Sequence, residues 1–236
     1  MNKVNYRNIL SRIRQRLKRI IQKIQGKQFV HFLHIWKTGG TAVKHALKQD
    51  PANSRYVLYL HPHSVRLKDI PKGEGVIFFL RDPISRFVSG FYSRQRQGQP
   101  RYFSPWTPEE KIAFEYFSTP NQLAVALSSE DAEEKVRAQK AMKNIHHVKN
   151  SYWEWFESEE YLKSRLPDIF FAGFQEHLAE DFEILRSKLG LPECIKLPSE
   201  DIQAHRNPTN LNRTLGEEAI KKLKEWYKDD YNIINI

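Results

Sequence analysis

A three-layered α/β fold, with a central parallel sheet flanked by helices, is predicted by three features of the sequence. Short apolar runs alternate with stretches of helical periodicity, the pattern of parallel strands joined by crossover helices. Two of those runs end in turns that lead at once into a helix, "HIWKTGGTAVKHAL" and "FFLRDPISRF". The 236 residues, 40% hydrophobic and 12% aromatic, suffice for one sizeable core with appendages and not for a second full domain.

The first element is a basic amphipathic helix within residues 1–27, set apart from a main domain over 28–236. The segment holds nine Lys and Arg and no acid, so of a net charge of +10 only +1 belongs to the rest of the chain. Ile9, Ile13, Leu17, Ile20, Ile21 and Ile24 recur at spacings of three and four. The continuous apolar centre of a secretory signal is missing. Such a helix can dock on its own domain or a partner, lie on an anionic membrane, or act as a nucleic-acid arm. Nucleic acid is disfavoured, because Tyr6 is the one aromatic available for stacking on bases. No run approaches the roughly 18 to 20 apolar residues needed to cross a bilayer, and the single cysteine, Cys194, suits a reducing compartment. A cytoplasmic protein, peripheral on the inner face of a membrane, is the expectation.

Strands are expected at "FVHFLHI" (29–35), "RYVLYL" (55–60), "GVIFFL" (75–80) and "DIFFAGF" (168–174). Helices are expected at "TAVKHALKQD", at "ISRFVSGFYSRQRQ", and at "EHLAEDFEILRSKLG", which stops at Gly190 before Pro192. Residues 105–166 read as a helical insertion or lid. There "TPEE" (107–110) and "TPNQ" (119–122) each place Thr before Pro and an acid or amide three residues on, a capping-box pattern. This stretch can form an acceptor-binding wall or simply pack, and packing is the simpler use of "YWEWF" (152–156).

A strand, a glycine turn and a helix in immediate succession present backbone N–H groups, backed by the helix dipole, to whatever lies above the turn. An anion fits there. Gly39 and Gly40 let the main chain approach it, Lys37 supplies a cation, Thr38 and Thr41 supply hydroxyls, and the amides run on to Ala42. The ATP- or GTP-binding P-loop has its lysine after the glycines, as G-x-x-x-x-G-K-[ST]. Here Lys37 precedes them, which disfavours a kinase or other phosphoryl transferase. In the second turn, Asp82 with Pro83 makes a helix start, while Arg81 at the strand end and Ser89 two helical turns on can clamp another phosphate.

Taken together, these motifs resemble those of the sulfotransferases that use 3′-phosphoadenosine-5′-phosphosulfate. The first is similar to that family's H-I-P-K-T-G-G-T loop for the 5′-phosphosulfate, with Trp36 where the family usually has Pro. The second is similar to its R-D-P-x-x-R-x-x-S motif for the 3′-phosphate, matched by Arg81, Asp82, Pro83, Arg86 and Ser89. The resemblance runs over roughly residues 29–236 and implies a P-loop-like version of the fold. "YLHPHSV" (59–65) is most like the H-x-H segment of the membrane-associated carbohydrate branch that includes uronosyl 2-O-sulfotransferases.

The resemblance implies in-line transfer of a sulfuryl group to a hydroxyl acceptor, a saccharide or glycolipid. Lys37 and the turn amides would meet the leaving phosphate, and His63 would act as base, since an imidazole titrates near neutrality. His61 would contact or orient the substrate. Period-two alternation puts His61 and His63 on one side of a continued strand, an arrangement that also suits a metal pair or two solvated loop histidines. The transfer itself does not demand a metal. Arg94, Arg96 and Arg101 are candidates for an acidic acceptor or for a solvated face, and Asn207, Thr209 and Arg213 resemble the family's loop closing over the nucleotide. His146 and His147 carry no ligand pattern. A reading from another class, a non-catalytic membrane-binding protein, accounts for the N-terminal helix but not for the two turns.

Overall fold

The computed structural model describes residues 6–49, 55–200, 208 and 211–236. Each of the four apolar runs forms a strand: β1 (Gln28–Phe32), β2 (Tyr56–Leu60), β3 (Gly75–Leu80) and β4 (Ile169–Phe174). They pair in parallel in the order β2-β1-β3-β4. β1 is shorter than its apolar run. Leu33 still donates its N–H to the Ile77 carbonyl at 2.8 Å, but the β1–β2 ladder ends at the pair Phe32 and Leu60.

Ten further α-helices follow α1 (Tyr6–Ile24) among the described residues: α2 (Gly40–Leu47), α3 (Pro83–Gln95), α4 (Pro108–Tyr116), α5 (Pro120–Ala126), α6 (Ala132–Asn144), α7 (Trp153–Phe156), α8 (Glu159–Ser164), α9 (Leu178–Lys188), α10 (Glu217–Trp226) and α11 (Lys228–Ile234). Helices cover both faces of the sheet, which is why the strands are apolar almost throughout rather than alternating. On one face Val30, Phe32, Ile77 and Phe79 pack with Val43 and Leu47 of α2 and with Phe182 and Leu185 of α9. On the other, Val76, Phe78 and Leu80 pack with Tyr152, Trp155 and Phe156. Full burial of each large side chain contributes about 1.5–3 kcal/mol.

The helices between β3 and β4 build a second core with α3 and α10, from residues such as Phe87, Phe91, Leu123, Met142 and Leu223. Both capping boxes form, Thr107 with Glu110 and Thr119 with Gln122. Two buried ion pairs fix α3 in this cluster. Arg86 reaches Asp230 of α11 at 2.7 Å, and Arg94 reaches Glu110 of α4 at 2.5 Å. Losing one partner of such a pair strands a buried charge and costs about 3–5 kcal/mol.

α1 touches the domain through Arg19. Its guanidinium bonds to both carboxylate oxygens of Glu74, which precedes β3, and lies over the rings of Phe29 and Tyr59, at 4.6 and 5.5 Å. Its apolar stripe remains open, with Ile13, Leu17, Ile20, Ile21 and Ile24 all exposed. No helix among the described residues is long and apolar enough to cross a membrane.

Candidate active site

From β1 the chain passes to β2 on one side and from there to β3 on the other, so the strand order reverses between β1 and β3. In open parallel sheets a ligand crevice lies at the carboxyl ends of the strands at such a switch point. A cavity of about 840 Å³ is found there, and the two turns picked out in the sequence form part of its wall.

The turn after β1 is strained. Lys37 has φ +65° and Gly39 φ +80°, both left-handed. Only glycine adopts that conformation without penalty, so the lysine is held there against its preference. Gly39 is the N-cap of α2 and supplies no side-chain cap, which leaves the first-turn amides to another partner. Gly40 is needed for space: a Cβ there would stand 2.5 Å from the His34 ring. Lys37, Gly39, Gly40, Thr41 and Ala42 all line the cavity. Two expectations change. Thr38 is buried, and its hydroxyl donates to the Ile35 carbonyl at 3.2 Å, closing the turn instead of facing a ligand. The Ala42 N–H already donates to the Gly39 carbonyl at 3.0 Å as the helix begins.

The turn after β3 satisfies itself. Asp82 caps α3 by accepting from the Ser85 N–H at 2.7 Å, with Pro83 at the first helical position. Arg81 sits at the strand end, where Tyr152 pins its backbone by accepting from its N–H (3.0 Å) and donating to its carbonyl (2.6 Å). The Arg81 side chain donates to the Ser85 hydroxyl at 2.7 Å and to the Lys37 carbonyl at 3.3 Å, which ties the two turns together. Arg81 and Ser89 both line the cavity.

Burial, and then the charges of Arg81 and Arg96, push the Lys37 ammonium down to about 7. Crowded cations of this kind suit a place where anionic charge arrives.

Among comparisons with known proteins, the model of one family, described as the sulfotransferase family, matches residues 22–235. The chain belongs to the sulfotransferase family. A search of curated proteins found no significant match. This sulfotransferase therefore carries the two turns at the switch point of its own sheet, and the enzyme class follows from the family.

The two histidines of "HPH" part company. β2 ends at Leu60 and the chain turns, so the alternation that would align them stops there. His63 lines the cavity, its Nδ1 is 2.9 Å from the His34 carbonyl, and its ring stacks on Trp36 at 3.5 Å with 12° between planes. His61 turns instead to His31, Nε2 to Nδ1 at 2.7 Å. His31 in turn meets Glu74 at 2.8 Å, the carboxylate that also holds Arg19 of α1. His61 therefore belongs to a chain running toward the N-terminal helix, which corrects its expected position beside His63.

Arginines expected at an acceptor divide in the same way. Arg94 reaches the cavity wall, but its guanidinium is engaged by Glu110 and by the carbonyls of Ser104 and Pro105. Arg96 donates to the Gln99 carbonyl. Arg101 is exposed and lines the cavity, as does Arg213, which donates to the Pro208 carbonyl at 3.0 Å. Asn207 and Thr209 lie outside the described residues.

No ligand pattern singles out His146 and His147, yet both line the cavity. α6 ends at Asn144 and the chain turns back toward the first loop, so what reads as a polar helical stretch is a helix end. Trp36, the departure from the family motif, is the ring they meet, at 5.2 and 4.5 Å. No group of three or more His, Cys, Asp or Glu side chains placed to hold a metal ion occurs among the described residues.

Proposed function

We propose that this sulfotransferase moves a sulfuryl group from 3′-phosphoadenosine-5′-phosphosulfate to a hydroxyl group of a saccharide, with His63 as base. The observation that carries this reading is the bond between His63 Nδ1 and the His34 carbonyl. A carbonyl can only accept, so Nδ1 bears the proton and Nε2 keeps a lone pair. Burial pushes the ring down to about 4, opposed by that hydrogen bond and aided by Lys44 and Lys37, so the imidazole is neutral and able to accept at physiological pH.

The donor supplies a sulfur centre whose bond to a phosphate oxygen breaks as the acceptor oxygen bonds to it, leaving adenosine 3′,5′-bisphosphate. His63 takes the hydroxyl proton on Nε2. Lys37 and the uncapped amides of α2 stabilise charge growing on the leaving oxygen, an interaction stronger in the transition state than before it. Arg81 and Ser89 hold the 3′-phosphate. Both cationic turns line the one cavity, which suits a nucleotide with phosphates at the 3′ and 5′ positions of its ribose. A kinase reading has the lysine on the wrong side of the glycines.

Adenosine 3′,5′-bisphosphate should raise the melting temperature without Mg²⁺, and MgATP should do much less. Tighter binding of MgATP would promote the kinase alternative. His63→Ala should lower turnover by about 10²-fold or more with donor affinity nearly unchanged. Near-normal turnover in the folded variant would remove His63 as base. Labelled donor screened against polysaccharides, glycolipids and small phenols identifies the acceptor.

The open stripe on α1 favours a second element of function, attachment to the inner, anionic face of a membrane. The helix meets the domain through the half-buried Arg19 and leaves its apolar residues exposed among cations, with no acid in residues 1–27. A second copy of the chain would set like charges together. Replacing Ile13, Leu17 and Ile20 with Ser should abolish binding to anionic vesicles while sparing the melting temperature. Unchanged vesicle binding would refute the anchor.

A further inference from the structure

Two left-handed, non-glycine residues line the same cavity. Lys37 is one; His147, with φ +70°, is the other. His147 is only 3% exposed, and its Nδ1 finds no hydrogen-bond partner among the described residues. A buried donor or acceptor left unmatched costs about 1–3 kcal/mol, and the left-handed backbone adds to that cost. The position is nonetheless held firmly. The His147 N–H donates to the Asn150 side chain at 3.3 Å, and Gly90 of α3 makes room for its backbone, since a Cβ there would meet three His147 atoms at 3.2 Å.

Trp36 links this histidine to the proposed base. Its indole stacks on His63 at 3.5 Å and meets His147 at 4.5 Å and His146 at 5.2 Å. A proline at position 36 would have no ring plane to offer either imidazole. The substitution in the first motif and the paired histidines after α6 therefore make one structural unit, formed by residues more than a hundred positions apart.

We infer that Trp36 and His147 form an acceptor subsite, in which the indole, packed against both imidazoles, positions His147 to hydrogen-bond a hydroxyl of a polyhydroxylated acceptor ring. The inference rests on the sulfotransferase site proposed above and specifies its acceptor side. An imidazole that lacks a protein partner gains one from the ligand, and a ring stacked beside it fixes the direction in which it can do so. His147 stays neutral here, because burial and then Lys37 push it well below its ordinary range, so it offers one donor and one acceptor nitrogen.

The test uses the full chain with labelled 3′-phosphoadenosine-5′-phosphosulfate and three acceptors: unsulfated chondroitin oligosaccharide, heparosan oligosaccharide and 4-nitrophenol. Wild type should sulfate at least one of the sugars. Trp36→Pro and His147→Ala should each raise the KM for that sugar tenfold or more, and His147→Asn should recover part of the loss. Adenosine 3′,5′-bisphosphate should stabilise all the variants to within about twofold in affinity. Unchanged sugar KM overturns the subsite, as does transfer to 4-nitrophenol alone or to none of the three while the bisphosphate binds. Loss of bisphosphate affinity in step with the sugar KM would assign both residues to the donor side instead. Failure of the bisphosphate to bind wild type would overturn the underlying site itself.

Discussion

The turns after β1 and β3 do the same topological job, each carrying the chain from a parallel strand into a helix beside one cavity, yet they are built in opposite ways. The turn after β3 closes on itself, with Asp82 capping α3 and Pro83 removing one amide donor. What it offers a ligand is side chain: Arg81 and Ser89. The turn after β1 leaves α2 without a side-chain cap, holds Lys37 and Gly39 in left-handed conformations, and offers main chain plus one ammonium. A helix N-terminus that has satisfied its own amides is stable but has little left for an anion, whereas an open one is less stable and ready for it. The arrangement suits a donor that must be gripped firmly at one end and cleaved at the other.

The sharpest way to break this contrast is at the gripping end. Arg81→Ala should lower affinity for adenosine 3′,5′-bisphosphate by about 2–5 kcal/mol, by analogy with truncating one partner of a desolvated charge pair. Titration calorimetry should also show the preference over ligands lacking the 3′-phosphate shrinking. Equal losses for both ligands would mean that Arg81 serves only to hold Lys37 through its carbonyl. Next comes the cleaving end. Lys37→Ala should cost about 10²–10³-fold in kcat, the size of losing one donor to a developing oxyanion, with a smaller change in bisphosphate affinity. Single-turnover kinetics separates the two, and a loss confined to binding would erase the difference between the turns.

pH gives a third measure. His63 is pushed down to about 4 and Lys37 to about 7. In the free enzyme kcat/KM should rise as His63 loses its proton near 4 and fall above about 7 as Lys37 loses the charge it needs, by about tenfold per pH unit beyond each limb. A profile still rising through pH 9 would show that the ammonium is not required or is held charged. The smallest effect belongs to the closed turn. Asp82→Ala removes the α3 cap and also the bond from the Tyr231 hydroxyl at 2.8 Å. It should lower stability by about 0.5–2 kcal/mol in denaturant melts, while leaving kcat within a few-fold. A catalytic defect larger than the stability defect would mean that the cap is also part of the anion site.

Four strands, the helices after β1, β3 and β4, both capping boxes, the Asp82 cap and the two turns were legible in the sequence. Each depends on residues close together in the chain: apolar runs, a Pro at the first helical position, a Thr three residues before Glu110 or Gln122, glycines next to a lysine. Local chemistry of that kind is set by backbone geometry and acts wherever the segment finally lies. The reach of the prediction ended where local rules stop applying. Alternation aligned His61 with His63 only as long as a strand continued, and β2 stops at Leu60. Arg94 reads as a free basic residue because its partner, Glu110, sits on the next helix.

By itself, then, the amino-acid order determined which segments become strands and helices and where the turns between them fall, because hydrogen bonding within a turn needs only neighbours. The tertiary structure alone decided who meets in the cavity. It brought Trp36 between His63 and His147, tied Arg81 to the Lys37 carbonyl, and drew His61 into the chain that ends on Arg19. Those pairings depend on the strand order β2-β1-β3-β4 and on the packing of the helices between β3 and β4. Desolvation follows the same rule. The fall of Lys37 to about 7 comes first from burial, and burial is a property of the packed whole.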